Sequence, residues 1–143
     1  MKRYVLIVLA ALMVVSTYAQ NANETAQLNK KNGTHVIQVG ETEITYNLHN
    51  GKLNGEYKQV DANQVETSGF IVNDEEHSQW TSYYPDGKKW ADVGFRNGKK
   101  HGVWRIWNQD GSLQFEYEYD NGTPVGLWKE YDSSGSVIAF AQK

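Results

Sequence analysis

The stretch "NGKKHGVWRIWNQDGSLQFEYEYDNG", Asn97–Gly122, opens and closes on the same dipeptide and carries a third glycine turn, Asp110-Gly111, near its middle. Asn-Gly and Asp-Gly suit tight hairpins, because both residues can adopt the positive φ that matches the twist of the flanking strands. Between the last two turns, "SLQFEYEY" alternates without a break: Leu113, Phe115, Tyr117 and Tyr119 on one face, Ser112, Gln114, Glu116 and Glu118 on the other. A period of two predicts a half-buried strand. The stretch therefore reads as one β-hairpin between two further turns.

Moving outward, the same spacing recurs along the chain. Asn50-Gly51, Asn73-Asp74, Asn97-Gly98 and Asn121-Gly122 are separated by 23, 24 and 24 residues. Five positions beyond each stands Gly55, Ser78, Gly102 or Gly126; two further on stands Tyr57, Trp80, Trp104 or Trp128. Three beyond that stands Val60, Tyr83, Trp107 or Tyr131. Mid-unit turns follow at Asp86-Gly87, Asp110-Gly111 and Ser134-Gly135, with Asn63-Gln64 as a worn copy. Four hairpins in register predict an all-β fold, a single antiparallel meander sheet. The units fall near 50–72, 73–96, 97–120 and 121–143 of a domain spanning 35–143, with a degenerate strand or two ahead of them in "HVIQVGETEITYNL".

Hairpin parity assigns the faces. With a two-residue loop at Asp110-Gly111, Ile106 lies opposite Phe115, Trp104 opposite Tyr117, Arg105 opposite Glu116 and Trp107 opposite Gln114; an odd loop or a bulge would invert the faces. The same rule sets Trp90 opposite Tyr83. Two aromatic ladders follow, on opposite sides of one sheet. Trp80, Trp104 and Trp128, with Tyr57, Phe115 and Tyr117, form the repeat core, where full burial of one aromatic side chain contributes roughly 2–3 kcal/mol. A single sheet has nothing else to bury against, so strong curvature or a partner must cover that side. Tyr83, Trp107 and Tyr131, with Trp90 and Arg105, occupy the other side as a candidate binding face for a protein surface or a sugar ring.

The N-terminus follows different rules. Lys2 and Arg3 precede the apolar run Val5–Val15, and Thr17 and Ala19 are small residues before Gln20. That is the three-part pattern of a secretory signal peptide over 1–19, with an apolar run too short to span a bilayer. Residues 20–34 read as a flexible polar leader. The sequence thus predicts an exported protein (periplasmic, cell-surface or secreted) with no transmembrane segment after cleavage. The remaining 124 residues carry twelve Lys and Arg against seventeen Asp and Glu. An acidic balance lacks the counter-charge that drives nucleic-acid binding. The absence of cysteine excludes a disulfide framework and a thiolate metal site.

The pattern "NGKxxGxWxxYxxDGxxxxxxxYxNG" resembles the MORN-repeat-variant family of bacterial proteins. It is carried here by "NGKLNGEY", "WTSYYPDGKKW", "NGKKHGVWRIWNQDG" and "NGTPVGLWKEYDSSG", over roughly Tyr46–Lys143. The resemblance implies a meandering antiparallel sheet of hairpins. It also brings the label of antitoxin in a toxin–antitoxin pair, attached to many relatives, and hence an antitoxin-like binding role. Some similar exported chains are labelled nicotinate mononucleotide adenylyltransferases, but this sequence has neither a strand–glycine-loop–helix nucleotide site nor an HxGH-type histidine pair. Eukaryotic MORN repeats are associated with membranes or protein assembly, which implies an interaction role by analogy.

Catalytic chemistry finds little purchase. His77 and His101 occupy equivalent positions, but two strands of separation, about 9–10 Å, is too far to share one zinc ion bound at about 2 Å. No metal site is expected. Asp86 and Asp110 precede turn glycines, where Asp is favoured because its side chain caps the backbone, so a glycosidase-type carboxylate pair is set aside. Ser133 and Ser134 lack a nucleophile-elbow context, and the glycines sit at strand turns rather than in a phosphate-cradling loop. The expected function is therefore a non-enzymatic protein-interaction scaffold at the cell envelope without a cofactor, with a carbohydrate-binding module for envelope glycan as the alternative. For the N-terminus, intact-mass analysis of the protein from its native envelope fraction is expected to give a chain beginning at Gln20; a mass that retains residues 1–19 would replace export with anchoring.

Overall fold

Each Asn-Gly step forms the hairpin its residues permit. The computed structural model describes residues 31–142, with side chains to residue 139; the expected signal peptide, 1–19, and the leader to residue 30 lie outside the described residues. The strands are β1 (Gly33–Val39), β2 (Thr42–His49), β3 (Lys52–Val60), β4 (Glu66–Val72), β5 (Glu75–Tyr83), β6 (Lys89–Arg96), β7 (Lys99–Lys100), β8 (Gly102–Trp107), β9 (Leu113–Asp120), β10 (Thr123–Tyr131) and β11 (Val137–Gln142). They form one antiparallel sheet in the order β1-β2-β3-β4-β5-β6-β8-β9-β10-β11, with the short β7 against β6. No helix occurs among the described residues. β1 begins at Gly33, so the last two residues read as leader belong to the sheet.

Two turn types alternate. At Asn50-Gly51, Asn73-Asp74, Asn97-Gly98 and Asn121-Gly122 both residues have positive φ, and the flanking residues pair directly, as Arg96 does with Lys99 and Asp120 with Thr123. These are two-residue type I′ loops, whose twist matches the strands. The mid-unit turns differ from the expected two-residue loop. Asn108 N–H donates to Ser112 O and Gly111 N–H donates to Asn108 O, both at 2.9 Å, with Gly111 at φ 91°. Tyr84 to Lys88 and Asp132 to Ser136 repeat this pattern. Each is a three-residue loop, a type I turn closed by one left-handed residue.

A three-residue loop is odd and by itself would invert the faces. In the last three units it does not, because a one-residue bulge follows: between Ser82 and Tyr83, Ile106 and Trp107, and Glu130 and Tyr131. The same loop at Asp61–Val65 has no bulge, and that unit is one residue shorter. In the bulged units the two odd shifts cancel. Ile106 therefore pairs with Phe115, Arg105 with Glu116 and Trp104 with Tyr117, as parity predicts. Two expected pairings fail inside the bulges. Trp107 pairs with Leu113 rather than Gln114, and Tyr83 pairs with Lys89 rather than Trp90. Gln114 and Trp90 are the extra residues. Trp90 packs against the core cluster and approaches Tyr84 at 6.3 Å between ring centroids, so the bulge withdraws it from the outer ladder.

A second irregularity lies beside the left-handed residues Gly55, Ser78, Gly102 and Gly126. The strand register shifts by two there, as between Ser68↔Thr81 and Phe70↔His77. An even shift leaves the faces unchanged while bending the strand. Successive turns also hold one another. Asp74 N–H donates to Leu53 O at 3.0 Å, Gly98 N–H to Glu76 O at 2.9 Å and Gly122 N–H to Lys100 O at 2.7 Å. Each type I′ turn thus binds the carbonyl three residues beyond the start of the preceding one.

The bent sheet buries one face against itself. Trp80 and Trp104 are each 1% exposed, and rings touch from unit to unit: Tyr57–Trp80 at 5.4 Å, Trp80–Phe95 at 6.3 Å, Phe95–Trp104 at 5.4 Å, Trp104–Tyr119 at 5.0 Å and Tyr119–Trp128 at 5.9 Å. The expected core residues Tyr57, Phe115 and Tyr117 are also buried, and Trp128 packs against them, half-buried. Close approach requires glycine at two places. A Cβ on Gly69 would overlap the Trp80 indole, and one on Gly94 would overlap the His101 carbonyl oxygen. Trp104 Nε1–H donates to that same Gly94's own carbonyl at 2.9 Å. Gly69 has an ordinary φ, so the effect of replacing it is steric. Gly69→Ala is expected to lower stability by about 1–3 kcal/mol through overpacking against Trp80, measured as a reduced urea midpoint at unchanged slope.

Candidate functional site

The face opposite the core is organised in rows that cross the strands. Arg105 lies between the buried Trp104 and Ile106, and Glu116 between the buried Phe115 and Tyr117, so both project outward. Direct cross-strand partners carry this polar row from Thr81 through Asp92, Arg105 and Glu116 to Lys129. Arg105 Nε–H donates to Glu116 Oε2 at 3.0 Å, and Lys129 Nζ to Oε1 of the same carboxylate at 2.8 Å. Asp92 accepts from Thr81 Oγ1 at 2.9 Å and from Lys89 Nζ at 2.7 Å. The carboxylates are the more enclosed members and the cations the more exposed. What the row offers to solvent is mainly positive charge.

The Lys129 hydrogen bond, with a further one from Arg105, holds the Glu116 carboxyl below its ordinary range against the opposing effect of partial burial. The same contact raises Lys129 above the usual lysine value.

One step toward the three-residue loops runs a row of large rings and aliphatic side chains, interrupted by Lys89. Tyr83 pairs with Lys89, Trp107 with Leu113 and Tyr131 with Val137. Strands β5, β6, β8, β9, β10 and β11 each contribute one residue, which at about 4.8 Å per strand spans about 24 Å. Lys89 ties the two rows together: its amine pairs with Asp92 and lies 5.4 Å from the Trp107 ring centroid. A cation so placed is attracted by the ring quadrupole. It also fixes Trp107 on the side of Asp92 and Arg105, away from Trp104. Tyr84 Oη–H donates to Trp107 O at 2.9 Å, bracing the strand at the bulge.

Of the expected binding residues, the structure brings Tyr83, Trp107, Tyr131 and Arg105 to this face; the three rings are half-buried and Arg105 is exposed. Trp90 goes to the core side, as described above. Period-two alternation put Leu113 on the face of Phe115 and Tyr117, and the bulge instead sets it opposite Trp107. Lys89, Lys129 and Val137 were missed altogether. The signal for Lys89 and Val137 was the odd length of the Tyr84–Lys88 and Asp132–Ser136 turns, which cannot be told from an even one by composition. For Lys129 it was the register shift between Val125 and Lys129. Phe70 and Val72 add exposed apolar surface on β4.

The residues weighed for catalysis sit in local hydrogen bonds. Asp110 Oδ1 accepts from the Ser112 backbone N–H at 2.8 Å and from its hydroxyl at 2.6 Å, which lowers the carboxyl from its ordinary value. Asp86 Oδ1 accepts from Lys88 N–H at 3.1 Å. His77 Nδ1 lies 3.0 Å from Ser78 Oγ, and His101 Nδ1 lies 3.3 Å from an Asp120 carboxylate oxygen. Among the described residues, no group of three or more His, Cys, Asp or Glu gathers where a metal could bind. No described helix is long and apolar enough to cross a membrane.

Compared with known families, residues 100–121 match the sequence model of the MORN repeat variant. The match falls on the β7–β9 hairpin, within the stretch that carried the resemblance, and bears that resemblance out. The curated proteins contain no match to this chain.

The Glu116 geometry fixes a sign for pH dependence. Folding favours the charged carboxylate, so its stabilisation is present at neutral pH and is lost as pH falls through its lowered folded-state value. Glu116→Gln is therefore expected to be about 0.5–1 kcal/mol less stable than wild type at pH 7, given the exposure of both cations. Thermal melts should show this difference closing as pH drops below the ordinary glutamate value of 4.5.

Proposed function

We propose that this chain, built of MORN-repeat-variant hairpins, is an exported, non-catalytic scaffold that presents its outer face to another protein at the cell envelope. The observation that carries the reading is the outer row of Tyr83, Trp107 and Tyr131, repeated at one position per unit on the side opposite the core. A sheet of this kind packs its tryptophans inward for stability. Large rings returned to the other side in three successive units are not needed for that packing. Aromatic residues flanked by arginine are the side chains that dominate protein interfaces when a partner desolvates them. Arg105 and Lys129 beside the row supply directional, charge-assisted contacts to carboxylates.

Export is read from residues 1–19, and a repeat of this family points to a binding or scaffold role. Without cysteine, an exported chain is held together by ring packing and backbone pairing rather than by disulfides.

The test compares wild type, Trp107→Ala and Tyr131→Ala as bait on proteins of the native envelope fraction. Each variant should retain the far-ultraviolet CD spectrum and weaken capture of the wild-type partner at least about tenfold, which corresponds to 1.4 kcal/mol. Capture unchanged in both variants would discard the outer face as the binding surface. Tryptophan fluorescence titrated with purified envelope glycans separates the carbohydrate reading: a saturable change lost in Trp107→Ala would replace a protein partner with a sugar.

A further inference from the structure

The two ends of the sheet lack the charge and proline that usually guard an edge, although β11 carries a bulge at Ile138. A free edge strand exposes unpaired backbone donors and acceptors, and proteins ordinarily guard it with charged side chains, proline or a bulge. Every interior strand of this sheet carries at least one Lys, Arg, Asp or Glu, from Glu43 in β2 to Lys129 in β10. The outermost strands, β1 ("GTHVIQV") and β11 (Val137–Gln142, "VIAFAQ"), carry none of these and no proline. They also hold the two most exposed large apolar side chains described, Val36 at 62% and Ile138 at 59%. Charge has been withheld where it would prevent pairing.

The register is continuous from one edge to the other. Direct cross-strand partners starting at Ile37 run without a gap through Ala91 and Ile106 to Ala139. The neighbouring row runs in the same way from Val36 through Arg105 and Glu116 to residue 140. Ten strands lie on this path. An even number in an antiparallel meander means that β1 and β11 run in opposite directions. Two copies set side by side in the same orientation therefore present β11 of one antiparallel to β1 of the next.

We propose that copies of this chain join head to tail by strand addition, β11 of one molecule pairing with β1 of the next and extending the meander. The rows set the register: Ala139 stands opposite Ile37 of the next copy, which keeps core-facing residues on one side across the junction. Backbone hydrogen bonds supply the affinity, as in other strand-addition contacts. The contact is heterologous, using different surfaces on the two molecules, and it leaves a free β1 and a free β11 at the ends, so the assembly is open rather than a closed dimer. It does not use the outer aromatic row, which every copy would carry along the extended sheet.

The full chain contains no cysteine, so Ile37→Cys and Ala139→Cys can be introduced alone and together. Facing residues of paired strands lie within disulfide reach. Mild oxidation of the double variant is expected to give a ladder of dimer, trimer and higher species on a non-reducing gel, while each single variant stays monomeric. A dimer from Ile37→Cys alone, or a fast-migrating monomer from the double variant, would overturn the proposal in favour of β1–β1 pairing or of closure within one chain. Light scattering of the cysteine-free protein provides the second measurement. Oligomers that grow with concentration are expected, and Val36→Lys with Ile138→Lys should reduce them to monomer. A wild type that is monomeric at every concentration, oligomers that survive both lysines, or oligomers without the ladder would each overturn it. Trp107→Ala should leave the ladder intact, so the outcome stands apart from that of the partner-binding test.

Discussion

The structure depends on keeping one face apolar across ten paired strands with no second layer among the described residues to cover it. Any uncompensated odd shift of register would exchange the faces for every strand that follows. The chain places an odd loop in all four units, at Asp61–Val65, Tyr84–Lys88, Asn108–Ser112 and Asp132–Ser136; the first unit is one residue shorter instead of bulged. An odd bulge offsets each of the last three within two or three residues. Trp104 and Ile106 therefore face the core with Phe115 and Tyr117, although the loop between them has the length that would have inverted them. The other register changes, beside Gly55, Ser78, Gly102 and Gly126, come in twos and cost the pattern nothing.

With the faces fixed, curvature does the work of a second layer. Bulges and left-handed residues bend the strands, and the bend brings rings of successive units into contact. Trp80 is covered by Tyr57 and Phe95, and Trp104 by Phe95 and Tyr119. Each ring contributes roughly 2–3 kcal/mol of burial, and the geometry is edge-on or tilted, as ring quadrupoles favour. The cost appears where backbone must pass beneath a ring, at Gly69 under Trp80. The Trp80 indole N–H is buried without an acceptor among the described residues, whereas the Trp104 N–H reaches the Gly94 carbonyl. Packing, rather than this hydrogen bond, is therefore what the repeat requires of its tryptophan.

The same bulges connect stability to function. Each sits immediately before Tyr83, Trp107 or Tyr131, so the device that restores the core register is also the one that positions the outer ring. The outer charges lie in the adjacent row, where Glu116 is held between Arg105 and Lys129 and Asp92 between Thr81 and Lys89. A face built this way is stiff: its aromatic members stand on paired strands and its ions are fixed by one another. Stiffness lowers the ordering cost of binding. It also suits a surface that repeats from unit to unit.

The sequence by itself determined the repeat, its turn positions, the type I′ turns at Asn-Gly and Asn-Asp, and the inward set of Trp80, Trp104 and Trp128. These follow from local chemistry: which residues tolerate positive φ, and which alternate at a period of two. It determined the outward direction of Trp107 only conditionally, because parity holds only if loop length and bulges are known. The tertiary structure decided the rest: that Trp107 meets Leu113 and Lys89, that Trp90 turns to the core, and that Glu116 gathers two cations. It also decided which strands are edges. Such outcomes arise between strands that are distant in sequence, where a single extra residue changes the partner, and no property of the residue itself reports which partner it will have.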